Sequence, residues 1–262
     1  MPVPHLQMRH VSKRFGPTVA LDQVSLVASA GEALPLVGEN GASKRTLMKI
    51  LSGALVPDSG AMQLAGDHYA PRGPQDARAA GVAMIYQELN IARELSVEDN
   101  VLLGQELHRG GVLDRRGGRR QVVDALARLG HQEIDPEAKA GTLSVGQQQL
   151  IEIARALVTR ARLVVFDEPT SSLTRQDVQQ LFNVIGRLRE EGLAVIYISH
   201  FLEEIRQVCD KFAVLRDGHL VGNGSLEDTT DEQLVSMMVG RTVDQLFPQV
   251  EHAIGDLVLS LV

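Results

Sequence analysis

The sequence predicts an α/β fold with a parallel sheet, and three observations carry that reading. Apolar strands at Ala33–Val37, Leu163–Phe166 and Ala194–Ile198 form a set, the last two continuous enough to be buried on both faces. Each ends in chemistry-bearing residues: a Gly-containing loop after Val37, Asp167-Glu168 after Phe166, and His200 after Ile198. Helices of 3.6-residue apolar period separate them, at Arg119–Leu129, Gln148–Leu157 and Gln176–Leu188. Open α/β sheets bind ligands outside the carboxyl ends of their strands, so three such ends carrying polar groups predict one site.

A chain of 262 residues with 44% apolar and 23% charged residues is of ordinary globular composition and long enough for a sizeable core. Aromatics are few, so that core is built from Leu, Val, Ile and Ala. The net charge of −7 argues against nucleic acid as a general partner. Cys209 is alone, which rules out an internal disulfide and reads as a buried thiol. There is no apolar run of about 18 residues and no signal-peptide pattern at Met1.

Along the chain, Leu6–Met8 and Val24–Val27 read as short strands around an Arg14-Phe15-Gly16-Pro17 turn. Phe15 fits two roles equally: a ring that stacks on an adenine, or an apolar plug for the hairpin. After the Ala33–Val37 strand a helix starts at Thr46 and its apolar run ends at Ser52-Gly53. Pro57–Gly60 is a turn, Ala61–Leu64 a strand, and Pro71–Pro74 a break. Val82–Tyr86 is a strand that ends on Gln87, where a ligand-sensing polar side chain would sit. From residue 88 to about 160 the pattern turns helical, with Val97–Leu103, a Val122/Val123/Leu126/Leu129 face and Gln148–Leu157. This reads as a helical insertion. Later come helices at Phe201–Cys209 and Thr230–Val239, flanking a Phe212–Arg216/His219–Val221 hairpin.

Leu36–Ile50 has the layout of a phosphate-binding loop: a strand, a turn rich in backbone N–H groups, then a helix N-terminus. The pattern asks for Gly, four residues, Gly, Lys, then Ser or Thr. Gly38 and Lys44 fit it; Ser43 stands at the second Gly, Arg45 at the hydroxyl position, and Thr46 one step late. Nucleotide chemistry explains the other strand ends. Asp167 suits a Mg²⁺ ligand, Glu168 the polarisation of an attacking water, and His200 and Gln87 the orientation of that water or charge near a γ-phosphate. Taken singly, an Asp-Glu pair is also a cap and a solvated turn, and a lone His is also structural. Their joint order and spacing favours the chemical reading.

On these residues the chain resembles the nucleotide-binding domain of ABC transporters. Leu143-Ser144-Val145-Gly146-Gln147 is similar to that family's signature, with Val145 where Gly is commonest. Asp167 and Glu168 correspond to the Walker B aspartate and catalytic glutamate, Ser172-Leu173-Thr174 to the D-loop, Gln87 to the Q-loop glutamine, His200 to the switch histidine, and Phe15 to the adenine-stacking aromatic. The Gly-Glu-Asn-Gly-Ala loop start, Ser144–Gln149 and Glu168–Thr174 resemble bacterial simple-sugar importers, which carry two fused nucleotide-binding domains. The resemblance covers Leu6 to about Met238. It implies the phosphate-loop fold of the ABC ATPase type, with an N-terminal antiparallel β part and a helical subdomain at about 88–160 inserted in the core.

The resemblance further implies ATP and Mg²⁺ as cofactors. Phe15, Gly38, Asn40, Gly41, Ala42, Ser43, Lys44, Arg45 and Thr46 would hold the nucleotide, with Asp167 and Gln87 at the metal. Ser144, Gly146 and Gln147 would face the γ-phosphate held by a second nucleotide-binding domain, packed head to tail. Residues around Glu88–Ser96 would receive a permease in the membrane, served in turn by a sugar-binding protein, at the cytoplasmic face of the bacterial cell membrane. Residues 1–240 would form the domain, 241–254 a linker, and 255–262 the opening strand of a truncated second domain.

Two residues depart from that pattern. The Arg45 guanidinium has no lone pair to offer a metal. Thr46 lies on another face of the helix, and Arg45 is suited instead to pairing with phosphate. Ser43 places a Cβ, and a demand on φ, where glycine gives close approach to phosphate. These changes predict an impaired loop site. Three functions therefore compete: an energy-coupling ATPase for carbohydrate import, a non-hydrolysing domain that lends its signature to a partner, and a soluble ABC protein of repair or translation. The last usually has a more basic surface, and no strong basic run is present.

Overall fold

The computed structural model of the chain describes residues 4–38 and 42–240. Strands β1 (Pro4–Phe15) and β2 (Thr18–Ser29) form an antiparallel hairpin. Both are far longer than the short strands their sequence suggests. The alternation is interrupted where the register shifts, and His10 and Gln23, with φ of 50° and 48°, sit at those irregularities. Next come β3 (Ala33–Val37) and α1 (Ala42–Leu51). Helix α1 begins four residues before the expected Thr46, because the last loop residues and Lys44 are already its first turn.

Strands β4 (Ser59–Leu64) and β5 (Asp67–His68) complete a sheet of order β2-β1-β4-β5. Helix α2 (Pro74–Ala80) follows, where the sequence was expected only to break. Pro74 is its first residue rather than its end, and Gly81 closes it, the usual asymmetry of helix termini. Strand β6 (Val82–Ile85) leads into the inserted unit: α3 (Val97–Leu102), a small hairpin of β7 (His108–Arg109) and β8 (Val112–Leu113), α4 (Arg115–Leu129) and α5 (Val145–Val158). The buried face of α4 is Val122, Ala125, Leu126 and Leu129, while Val123, expected there, is exposed.

The chain then alternates β9 (Leu163–Asp167), α6 (Arg175–Glu190), β10 (Ala194–Ile198) and α7 (Leu202–Val208). It continues through β11 (Lys211–Arg216), β12 (His219–Ser225) and α8 (Asp231–Val239). The second sheet has the order β12-β11-β3-β10-β9-β6, with β11, β3, β10, β9 and β6 parallel to one another.

Alternation along those strands explains why they are apolar throughout. Val164, Phe166, Val195, Tyr197 and Val214 enter one core with the inward faces of α4, α5 and α6. Leu163, Val165, Ile196, Ile198 and Leu215 enter a second core with α1 and the antiparallel sheet. Each fully buried aliphatic side chain of this kind contributes about 1.5–3 kcal/mol. Both faces being covered, the carboxyl ends of β3, β10 and β9 are left as a shared edge. The linker expected at 241–254 and the strand expected at 255–262 lie outside the described residues.

Candidate functional site: a nucleotide-binding edge

Register brings the three predicted strand ends together. Val37 pairs with Val214 of β11, Pro35 with Tyr197 of β10, and Ile198 with Asp167 of β9. The residues that follow, Gly38, Ser199-His200 and Glu168, therefore leave the sheet side by side. Gly38 has φ of 150°, and a Cβ there would lie 1.9 Å from the Leu215 carbonyl oxygen. Only glycine fits that approach. Asn40 and Gly41 lie outside the described residues, and Ala42 opens α1.

Lys44 is buried, and its ammonium donates to the Gly38 carbonyl oxygen across the mouth of the loop. Burial pulls its pKa down, while the charges of Glu168 and Asp167 oppose that shift. Asp167 moves the other way: burial and the neighbouring Glu168 charge raise it, and Arg45 and Lys44 pull it back. Each group's charge reaches the other, so loop and strand end form one electrostatic unit.

Glu168 sits at φ 46°, unusual for a residue with a side chain. Its amide donates to the Ile198 carbonyl oxygen at 2.9 Å, which holds the turn. One Glu168 carboxylate oxygen lies 3.7 Å from His200 Nδ1, and the Phe201 ring stands with its centroid 4.0 Å from the imidazole. Behind them, Tyr197 and Ser199 hydroxyls both donate to the Glu204 carboxylate, at 2.9 and 2.8 Å, and Ser199 Oγ accepts from the Phe201 amide. Glu204 thus fixes the turn that presents His200. Sequence reading missed it, although a carboxylate in the first turn of α7 was a visible signal.

Gln87 lies two residues past Ile85, which is in register with Phe166. Its side chain is exposed. Phe15 projects from the tip of the β1–β2 hairpin, 46% exposed, with the Lys13 ammonium 5.9 Å from its ring centroid. The ring is half exposed and carries the Lys13 ammonium over it.

Ser144 and Gln147 bond to each other and form no hydrogen bond with these edge residues. They cap α5 reciprocally, Ser144 Oγ accepting from the Gln147 amide and the Gln147 side chain accepting from the Ser144 amide. Gly146 is packed under Asp177, where a Cβ would lie 2.6 Å from Oδ1. Asp177 in turn belongs to the capping box of α6 with Thr174. The two helix starts thus meet at Gly146 and Asp177, and Gln149 Nε2 ties α5 to the Pro169 carbonyl at 3.1 Å.

The segment after Gln87 is tied to the same helix. The Asn90 amide donates to Glu152 Oε1 at 2.7 Å, and Arg155 Nε donates to the carbonyl of buried Asn100 at 3.0 Å. Glu152 Oε2 and Arg155 Nη2 have no partner among the described residues. They line a cavity of about 290 Å³ together with Ser52, Tyr86 and Asn90.

The loop departs from its pattern in two physically distinct ways. Ser43 lies within α1 and its φ is not left-handed, so the expected backbone strain is absent. Its Oγ accepts from the Gly218 amide at 3.1 Å, binding the loop to the β11–β12 turn. Arg45 is exposed and forms no ion pair with the described residues. A magnesium ion would find oxygen ligands only in Asp167 and Gln87 of the predicted set, with a fixed positive charge at residue 45 and a buried Thr46 beyond it. This donor set does not fit the usual magnesium site of such loops.

A strand–loop–helix with a buried lysine, carboxylates and a histidine from adjacent parallel strands, and an inserted helical unit define a nucleotide-binding domain of the phosphate-loop class. The model of the ABC transporter family matches residues 21–171, and the chain belongs to that family. Among curated relatives, the ribose import ATP-binding protein RbsA of Chromobacterium violaceum is 46% identical over 254 residues, 97% of this chain and 51% of that protein. The arabinose import ATP-binding protein AraG of Chromohalobacter salexigens is 44% identical over 257 residues, 98% of this chain and 52% of that protein. The chain thus spans about half the length of the curated relatives it matches. The crystal structure of the ADP conformation of an ATP-binding cassette from an ABC transporter superposes with a TM-score of 0.79 at 24% identity, covering 91% of this chain and 99% of that one. The expected architecture, antiparallel sheet and inserted helical unit included, agrees with that fold.

Proposed function

We propose that this chain is the ATP-binding part of a carbohydrate importer, turning ATP binding and hydrolysis into movement of a membrane permease. The observation that carries the reading is the similarity, above 40% identity over nearly the whole chain, to ribose and arabinose import ATP-binding proteins. ATP lies along α1 with its phosphates at the Lys44 turn and its adenine on Phe15. Glu168 polarises the attacking water and His200, held by the Glu204 turn, positions it, with Gln87 approaching from β6. Ser144, Gly146 and Gln147 complete the site of a second nucleotide-binding domain packed head to tail. The capping box at the start of α5 supports that role, since it fixes the helix N-terminus that would face the partner's phosphate.

The permease docks beside the segment 88–96. The cavity between Tyr86 and Arg155 supports this placement, and the Asn90–Glu152 bond links it mechanically to the signature helix. A sugar-binding protein delivers the substrate to the permease. Among the described residues no helix is long and apolar enough to cross a membrane, so this chain's own contact with the membrane is peripheral in this reading. Magnesium belongs to the family reading, and the residues at 43 and 45 weaken its place here. Hydrolysis at the chain's own loop is correspondingly impaired.

Uptake tests the reading. In cells lacking their own ribose-import ATP-binding protein but retaining permease and binding protein, the chain joined to a competent second nucleotide-binding domain should restore ATP-dependent pentose uptake. Background uptake in both a ribose and an arabinose importer would contradict it.

A further inference from the structure

The two altered loop positions have different fates in the fold. Ser43 Oγ accepts from the Gly218 amide, so the loop end is held by a contact that a glycine could not make. Lys44 occupies its usual buried place at the mouth, on the Gly38 carbonyl. Both described flanks of the loop, Gly38 and Ser43, are therefore held by contacts of their own, and Arg45 beside them is exposed and forms no ion pair with the described residues. Its charge reaches Asp167, at the end of β9.

A nucleotide triphosphate entering this edge meets two carboxylates, Asp167 and Glu168. In phosphate loops generally a divalent cation offsets that repulsion, held by the hydroxyl at the position of Arg45. Here the same position carries a guanidinium, a planar fork of donors that matches phosphate oxygens two at a time.

We infer that Arg45 takes the place of the divalent cation, making this a site that holds a nucleotide triphosphate in metal-free form, with the guanidinium between the phosphate oxygens and Asp167. The inference rests on the nucleotide-binding reading above and adds the cofactor state of the site. One fixed positive charge replaces two mobile ones, and a bound metal would have to displace an arginine. Nucleotide binding is thereby separated from the metal on which turnover depends.

Calorimetric titration of ATP into the 262-residue chain, at constant ionic strength in EDTA and again in excess magnesium, tests this. The dissociation constants in the two buffers are expected to agree within about threefold. Arg45→Ala should weaken binding in EDTA by at least about tenfold, the weight of a charge-assisted contact to phosphate, and Arg45→Lys should recover part of it. Arg45→Ser should bind at least about tenfold tighter with magnesium than without. Arg45 is exposed, so none of these variants disturbs the core. Wild-type binding that tightens about tenfold or more with magnesium, or an Arg45→Ala variant unchanged in EDTA, overturns the inference while leaving the nucleotide-binding reading intact. Absence of saturable binding in both buffers overturns both.

Discussion

Ser43→Gly combined with Arg45→Ser is expected to raise ATP turnover in magnesium by at least about tenfold over the unaltered chain, as a metal at the phosphates is worth several kcal/mol of charge stabilisation. The residues proposed for the chemistry are held in fixed positions. Glu168 is held in a left-handed backbone turn by its amide bond to Ile198, and His200 lies 3.7 Å from its carboxylate. A residue kept at such a φ is stabilised by its surroundings at a cost of about 1–3 kcal/mol, and such residues cluster at functional sites. Adding Glu168→Gln to the double variant should then remove about 10²- to 10⁴-fold of the restored rate, the usual range for a general base. Phosphate release measured on the three proteins checks this. An unaltered chain that already turns over as fast as the double variant would show that residue 45 is no obstacle. The repair has one structural cost: losing the Ser43–Gly218 bond removes a contact worth about 0.5–1.5 kcal/mol.

Gly38→Ala should destabilise the fold by at least about 3 kcal/mol, a severe effect for one methyl group. The obstacle is backbone: the new Cβ would stand 1.9 Å from the Leu215 carbonyl oxygen. A flexible side chain could turn aside, but Leu215 belongs to β11, which is paired with β3 on one side and β12 on the other. Relief requires β3 and β11 to separate at the point where the loop begins. The φ of 150° adds strain independently of the collision. Urea unfolding of the two proteins measures the loss, and an unchanged midpoint would contradict the geometry.

The parallel strands and the residues that follow them were legible because burial on both faces leaves continuous apolar runs in the sequence, as at Leu163–Phe166. Chemistry at their ends could be read by its position alone. The N-terminal hairpin was under-read for the opposite reason: β1 and β2 face solvent on one side, and bulges near His10 and Gln23 shift the alternation. Helix α2 was lost because Pro74 signals a stop as readily as a first turn. On α4, Val123 looked like core by its chemistry, but the arc that packs is set by Ala125 and Leu126. Ser43 is the most instructive miss. Its sequence context predicts backbone strain, yet its φ is not left-handed, and its Oγ accepts from Gly218, 175 residues further along the chain. No local pattern contains that partner.

The supporting residues were similarly hidden. Glu204 acts through a turn that exists only once β10 and α7 are folded, and Asp177 matters to Gly146 only because the starts of α5 and α6 meet. The site residues themselves follow a linear motif, whereas the residues that hold them in place follow the fold.

The central claim is that the edge between β3 and α1 binds ATP through Lys44. Equilibrium binding of a fluorescent ATP analogue to the chain and to its Lys44→Met variant tests it most directly. Saturable one-to-one binding is expected, weakened by at least about tenfold in the variant because a buried ammonium at the loop mouth has been removed. Equal affinity in the two proteins would place the nucleotide elsewhere and contradict the account.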